Sequence, residues 1–410
     1  MRFALLLAVS FALRADWPEF RGPNGQGTAA EAKGLPVEWS ESKNIGWKTP
    51  VPGKGWSSPV IAGGTIWLTT ATEIPGNSAG RSLRLLAFDE ATGKPKRDIG
   101  LFDIENPGSQ HAKNSFASPT PILDAETGLV YVHFGVHGTA AVKSASGEIA
   151  WKITLPRWEH VHGAGGSPVV WKDLLIVSCD GTDTQYVVAL EKATGKIRWQ
   201  KKRPSGNMAF ATPLIIEAAG KTQLVSPSAH RTISYDPATG RELWSVEYGD
   251  GFSNVPRPVF AHGFVYLCTG FYKPELLAVK PDGEGNVTAS HVAWRASRGV
   301  PLTPSPVVVG SDIYMVSDNG ILSSLDAKTG KLNYQERLGG NFSASPLYAD
   351  GRIYWPSEEG DTTVIAPGRE FRQLARNTVD GQIFASLAIS GNALILRSSS
   401  HLYRISTPNR

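Results

Sequence analysis

Seven times along the chain an alternating apolar stretch runs into a polar step, a Thr-Gly-Lys-type turn and a second stretch carrying an aromatic residue. The clearest copies are Ala87-Phe88-Asp89 with Thr92-Gly93-Lys94, Ala189-Leu190-Glu191 with Thr194-Gly195-Lys196 and Trp199, and Ser234-Tyr235-Asp236 with Thr239-Gly240-Arg241 and Trp244. Ala141-Val142-Lys143 with Ser146-Gly147-Glu148 and Trp151 keeps the pattern, as does Ser324-Leu325-Asp326 with Thr329-Gly330-Lys331 and Tyr334. The copy at Ala278-Val279-Lys280 is stretched before Trp294, and the last is degraded to Val364-Ile365 with Pro367-Gly368-Arg369. Period-two alternation makes each stretch a strand, Gly supplies the positive φ of the hairpin turn, and the acidic side chain accepts from the turn amides. One such unit cannot bury its apolar face alone, so a repeat of this length predicts a ring or a stack.

A second marker sets the start of each unit. Ser-Pro or a variant precedes a Val/Ile run at Pro59, Pro119, Pro168, Pro213, Pro258, Pro306 and Pro346, with Leu387 in the eighth place. The spacing of about 40 to 60 residues is that of four-stranded propeller blades, and Pro suits a strand's first residue because no ladder N–H is needed there. The eighth unit supplies three strands (385–390, 393–397, 401–405) before the chain ends, and Asn44-Ile45-Gly46-Trp47-Lys48 has the pattern of the missing fourth. The expected fold is all-β: an eight-bladed β-propeller of four-stranded antiparallel blades, closed by the N-terminal strand in the last blade. Closure leaves only short, protected edges. The 43 Gly and 28 Pro of the 410 residues suit many short strands and tight turns.

These cassettes, of the form Ala-x-Asp-x-x-Thr-Gly-Lys-x-x-Trp, resemble the pyrroloquinoline-quinone (PQQ) repeat of quinoprotein dehydrogenases and of BamB-like outer-membrane assembly propellers. The resemblance covers residues 39–406. Trp17-Pro18-Glu19-Phe20-Arg21-Gly22-Pro23-Asn24-Gly25 and Gly55-Trp56-Ser57-Ser58-Pro59 resemble secreted PQQ-binding-like propellers of environmental bacteria. The resemblance implies two functions on one ring: a binding or scaffold module, and a PQQ- and calcium-dependent oxidoreductase. The catalytic members carry an adjacent Cys pair over the quinone and a Glu/Asn/Asp set on Ca²⁺. Here Cys179 and Cys268 stand in non-adjacent units and are expected to be buried thiols, and no matching acidic set is found.

Strand alternation also gives the ring two faces. The Thr-Gly turns join third and fourth strands on one face. The loops into each first strand, and those joining second to third strands, lie on the other, beside the central channel. That loop face holds the candidate ligand residues: Trp56, His111, His137, Trp158, His160, His162, Asp180, Asp183, Arg257, Arg298 and Glu358. Arg257 and Arg298 are candidates for clamping an anionic group, or for tying blades together. His160 and His162 alternate so that both rings face one side; no tight metal-ligand spacing accompanies them, so no metal is assigned. Thr72 to Arg81 is long for a loop between strands, and reads as a lid or a decoration.

The first fifteen residues read as a signal peptide, with Arg2, an apolar run from Phe3 to Leu13 and a small-residue cleavage site, leaving 16–410 as the propeller. The run is too short to span a membrane, and no Cys follows it for lipid attachment. The net charge of +4 is spread thinly, which speaks for solubility rather than nucleic-acid binding. The sequence therefore points to an extracytoplasmic, non-catalytic propeller that engages a protein, peptide or saccharide through its loop face, with no cofactor.

Overall fold

The computed structural model describes residues 17–204 and 206–407, so the expected signal peptide lies outside the described residues. Eight antiparallel sheets ring a central channel, their innermost strands beginning at Val60, Ile122, Val169, Leu214, Val259, Val307, Leu347 and Ala388 in blades one to eight. In blades one to seven the strands run outward in chain order. Blade eight is completed as the repeat predicts: Ile45–Pro50 is its outermost strand, paired antiparallel with His401–Ile405. Blades four and seven each gain a two-residue parallel strand, Gly285–Asn286 and Thr28–Ala29.

The repeat residues explain how neighbouring blades lock. In the turn after the third strand, Asp89 Oδ1 accepts from the Thr92 amide at 3.0 Å and Asp326 Oδ1 from the Thr329 amide at 3.0 Å. In blades eight, two, three and five the Trp of the fourth strand then docks on the next blade's turn. Trp47, Trp151, Trp199 and Trp294 donate Nε1–H to the carbonyls of Glu90, Lys192, Pro237 and Ala327. Their rings lie flat against Gly93, Gly195, Gly240 and Gly330, where a Cβ would come within 2.6–2.7 Å. Glycine is therefore required twice, for positive φ and for the space the indole fills. Trp244 faces the stretched copy and reaches it through Gln223, which accepts from Nε1 at 2.7 Å and donates to Pro281 O at 2.8 Å.

This double requirement gives a measurable contrast. Gly195→Ala, with φ 73° and Trp151 at 2.7 Å, is expected to cost roughly 2–4 kcal/mol. Gly220→Ala has a similar φ of 70° but nothing within 4 Å, and should cost only about 1 kcal/mol. Urea unfolding of the two variants checks this, and equal losses would show that indole docking adds nothing.

Two segments differ from the sequence reading. Blade two's marker is Thr120-Pro121, since the inner strand begins at Ile122 and Thr120 occupies the position held by Ser58 in blade one. Residues 72–81 form no loop: Thr65–Ile74 and Asn77–Asp89 continue as one long hairpin with its turn at Pro75-Gly76, projecting from the loop face.

The N-terminal segment decides the state of the channel. Trp17 pairs with Ile61 of blade one, Pro18 O accepts from Leu123 of blade two, and Gly27 O accepts from Tyr348 of blade seven. These partners lie partway down the inner strands towards the turn face, so residues 17–29 cross the channel and close it from that side. The chain then follows blade seven, with Leu35 N donating to Asp350 and Trp39 N to Asn377, before reaching its place in blade eight.

Candidate functional site

Plugged at the turn face and open at the loop face, the channel becomes a cup of about 550 Å³. Aromatic rings dominate its wall. Trp56 stacks on Phe384 with centroids 4.5 Å apart. Opposite them, His162 meets Phe210 and Phe252, and Phe252 stacks on Tyr272 at 5.5 Å. Phe271 and Tyr272, at 54% and 62% exposure, carry this aromatic run onto the rim. Phe20 of the plug also faces the cup. Such a wall, with a few placed polar groups, is the usual composition of a ligand site.

Below the aromatics the inner strands begin with hydroxyl residues that bond blade to blade. The amide of Ser58 donates to Thr120 Oγ1, that of Thr120 to Ser167 Oγ, and that of Ser167 to Thr212 Oγ1, each at 2.9 Å. The chain resumes with Arg257 N to Ser305 Oγ, Ser305 N to Ser345 Oγ, Ser345 N to Ser386 Oγ and Ser386 N to Ser58 Oγ, at 2.9–3.1 Å. Seven links of eight are made. The gap falls between Thr212 and Arg257, where blade five has a guanidinium in place of a hydroxyl.

The candidate residues are distributed around this cup as follows. Trp56, His111 and His162 line it, His111 standing edge-on to His162 at 5.4 Å. Glu358 accepts from Ser343 Oγ at 2.6 Å and from Lys113 Nζ at 2.9 Å. Lys113 comes from the loop into blade two and Glu358 from blade seven, so this pair straddles the mouth. His137, Trp158 and His160 sit behind the wall: His137 packs on Phe116, and Trp158 on His160 at 5.2 Å. Burial lowers the pKa of His137, and burial with repulsion from His137 takes His160 down to about 4, so both are neutral imidazoles. Neighbouring His133, bonded to Thr139, is lowered to about 3 by burial and then by His160.

The side chains of the remaining four do not line the cup. Asp180 is sequestered in a bidentate pair with Arg203, Nε to Oδ1 at 2.7 Å and Nη2 to Oδ2. Asp183 is exposed and accepts from the Glu159 amide at 2.8 Å. Arg298 is exposed beyond blade five's outer strand. Arg257 turns down to the plug, donating to Phe20 O at 2.5 Å, Glu19 Oε2 at 2.8 Å and Pro213 O at 3.1 Å. Residues the candidate set omitted include Lys113, Phe210, Phe252, Asp318 and the hydroxyl chain. The last had a sequence signal, since a Ser or Thr stands directly before the Pro or Leu marker in seven of eight units.

A calcium-bound quinone needs clustered oxygen ligands. The cup's carboxylates are separate and engaged: Asp318 accepts from the Leu302 and Thr303 amides, and Glu358 is held by Lys113. Among the described residues no group of three or more His, Cys, Asp or Glu is placed to hold a metal. Cys179 and Cys268 are buried free thiols in blades three and five. This donor set does not fit the calcium–quinone pair.

Ring, docking tryptophans and plugged cup together define a PQQ-repeat propeller with a single open face. The family described as outer membrane protein assembly factor BamB matches residues 96–290 and 284–382, and the chain belongs to that family. BamB of Moranella endobia (strain PCIT) is 23% identical over 258 residues, 60% of this chain and 61% of that protein. The chain thus spans about three fifths of that relative, and 28% of the BamB of Burkholderia pseudomallei (strain K96243), which is 32% identical over 108 residues, 26% of this chain. The crystal structure of BamB from Moraxella catarrhalis superposes with a TM-score of 0.60 at 12% identity, covering 88% of this chain and 99% of that one. A europium-containing methanol dehydrogenase gives 0.66 at 10%, covering 94% and 90%. At such identities these two likenesses concern the fold alone. Among the described residues no helix is long and apolar enough to cross a membrane.

Proposed function

We propose that the chain is an extracytoplasmic, non-catalytic binding propeller that takes a segment of another protein into its loop-face cup. The aromatic run from exposed Phe271 and Tyr272 through Phe252 to His162 carries this reading. It presents large, rigid apolar surface at the mouth of a blind cavity, which is how binding anchors are built. The relatives' description as outer membrane protein assembly factors directs the choice of partner to segments of outer-membrane proteins, and supports a place outside the cytoplasm. The oxidoreductase reading is set aside because the cup's donors do not match a calcium–quinone site.

Synthetic strand peptides from outer-membrane proteins, labelled for fluorescence anisotropy, test the reading. Phe271→Ala/Tyr272→Ala is expected to weaken binding at least tenfold while leaving the melting temperature nearly unchanged, because both rings are exposed. Undiminished peptide binding would remove the cup from the function, and displacement of the peptide by an oligosaccharide would make the ligand a saccharide. Saturable binding of PQQ with calcium would restore the redox reading.

A further inference from the structure

Beneath the aromatic wall the cup has a floor of different chemistry. Every hydroxyl in the blade-to-blade chain accepts an amide N–H, so its own proton remains to be donated. The amides approach from the neighbouring blade, while these side chains line the cup, so the protons are free to turn inward. They form a crown of O–H donors on residues that are only 2–6% exposed.

Two guanidiniums lie against this crown. Arg257 takes the eighth crown position and is saturated by Phe20, Glu19 and Pro213. Arg21, 1% exposed, donates Nη2 to Gln26 O at 2.8 Å and to Pro306 O at 2.6 Å, the carbonyl next to crown residue Ser305. Its Nε and Nη1 have no hydrogen-bond partner among the described residues. Both nitrogens are sealed from the cup, so Arg21 acts on it as a buried positive charge beneath the floor and not as a hydrogen-bond donor. Burial and the charge of Arg257 bring its pKa down to about 9, which still leaves it cationic at neutral pH.

We propose that the floor of the cup is an anion site, in which the hydroxyl crown takes a small oxyanion or a carboxylate over the positive charge of Arg21. The charge balance favours this sign: two guanidiniums face one carboxylate, Glu19. The cup's other carboxylates, Asp318 and Glu358, belong to loops between second and third strands, at the mouth. A cation would meet oxygens already accepting amides and the guanidiniums beside them. The site does not depend on the peptide reading, since a free oxyanion would fill it with no peptide present. A peptide's C-terminal carboxylate is the other source of the same chemistry.

The test is calorimetric titration of the full chain with sodium sulfate and with sodium acetate, at ionic strength fixed by sodium chloride, together with crystals soaked in sodium selenate. One saturable site is expected, with selenate on the ring axis against the crown. Thr120→Val/Thr212→Val, which removes two crown hydroxyls at constant shape, should weaken binding at least tenfold. Competition by peptides with free rather than amidated C-termini would assign the carboxylate source; sulfate binding without such competition would assign the free oxyanion. No saturable heat with either anion, selenate only on the outer surface, or unchanged affinity in the folded variant would overturn the proposal. Should the variant not fold, the position of selenate in the unaltered protein decides.

Discussion

Arg203→Met is expected to lower stability by roughly 3–5 kcal/mol at pH 7.5, among the largest losses any single exchange in this ring can cause. Arg203 follows blade three's outer strand and reaches inward to Asp180, at the end of the second strand. Both side chains are sealed from solvent, at 0% and 1% exposure. The guanidinium also donates Nη1 to Ser226 Oγ of blade four at 2.8 Å, so the same group pins two blades. Methionine keeps much of the volume but leaves the Asp180 carboxylate buried with no counter-charge.

The sign of the pH dependence follows. Without Arg203, burial raises the folded-state pKa of Asp180 above its unfolded value near 3.9, so the folded variant binds the proton more tightly. The penalty is therefore full above the raised pKa and shrinks as pH falls towards 3.9. Urea unfolding at pH 7.5 and 4.5 should show a smaller loss at the lower pH. Asp180→Asn/Arg203→Met should recover part of the loss at pH 7.5. Equal losses at both pH values, with no recovery in the double variant, would show that the pair is not what holds these blades.

Arg257→Met should produce a different failure, in which the plug loosens before the ring. The exchange removes three donors at once and leaves the Phe20 carbonyl and the Glu19 carboxylate without them. A cost of roughly 2–4 kcal/mol is expected. It should concentrate in residues 17–29, which are held by few strand contacts of their own. The amides of Trp17, Gly25 and Gly27, bonded to Ile61 O, Gly22 O and Arg21 O, should exchange at least tenfold faster. Amides of the inner strands should keep their protection. Unchanged exchange in the plug would mean that Arg21 and the Trp17 pairing hold it alone.

The ring was legible because its signals are local and repeated. Asp89 meets Thr92, the turn residues Gly147, Gly195, Gly240 and Gly330 stand at one spacing from Trp151, Trp199, Trp244 and Tyr334, and the spare strand at Ile45 has the pattern of the strands that carry those aromatics. Trp56, His111 and His162 were legible as channel residues for the same reason, since topology puts the loops before first strands beside the axis. Asp180 and Arg257 show where that reasoning ends. Topology placed both on the loop side, yet their partners turned each towards the interior, and a partner 23 or 238 residues away leaves no periodic trace.

The sequence by itself thus determined the eight blades, the N-terminal strand that closes them and the division into turn face and loop face, because each rests on short-range alternation and turn chemistry. Only the tertiary structure decided that the channel is a cup and that a crown of hydroxyls lines it over two arginines. Those features arise where eight strand starts converge on one axis and a non-repeating segment crosses it. Such juxtapositions are set by packing the whole ring at once, and no single unit of the repeat contains them.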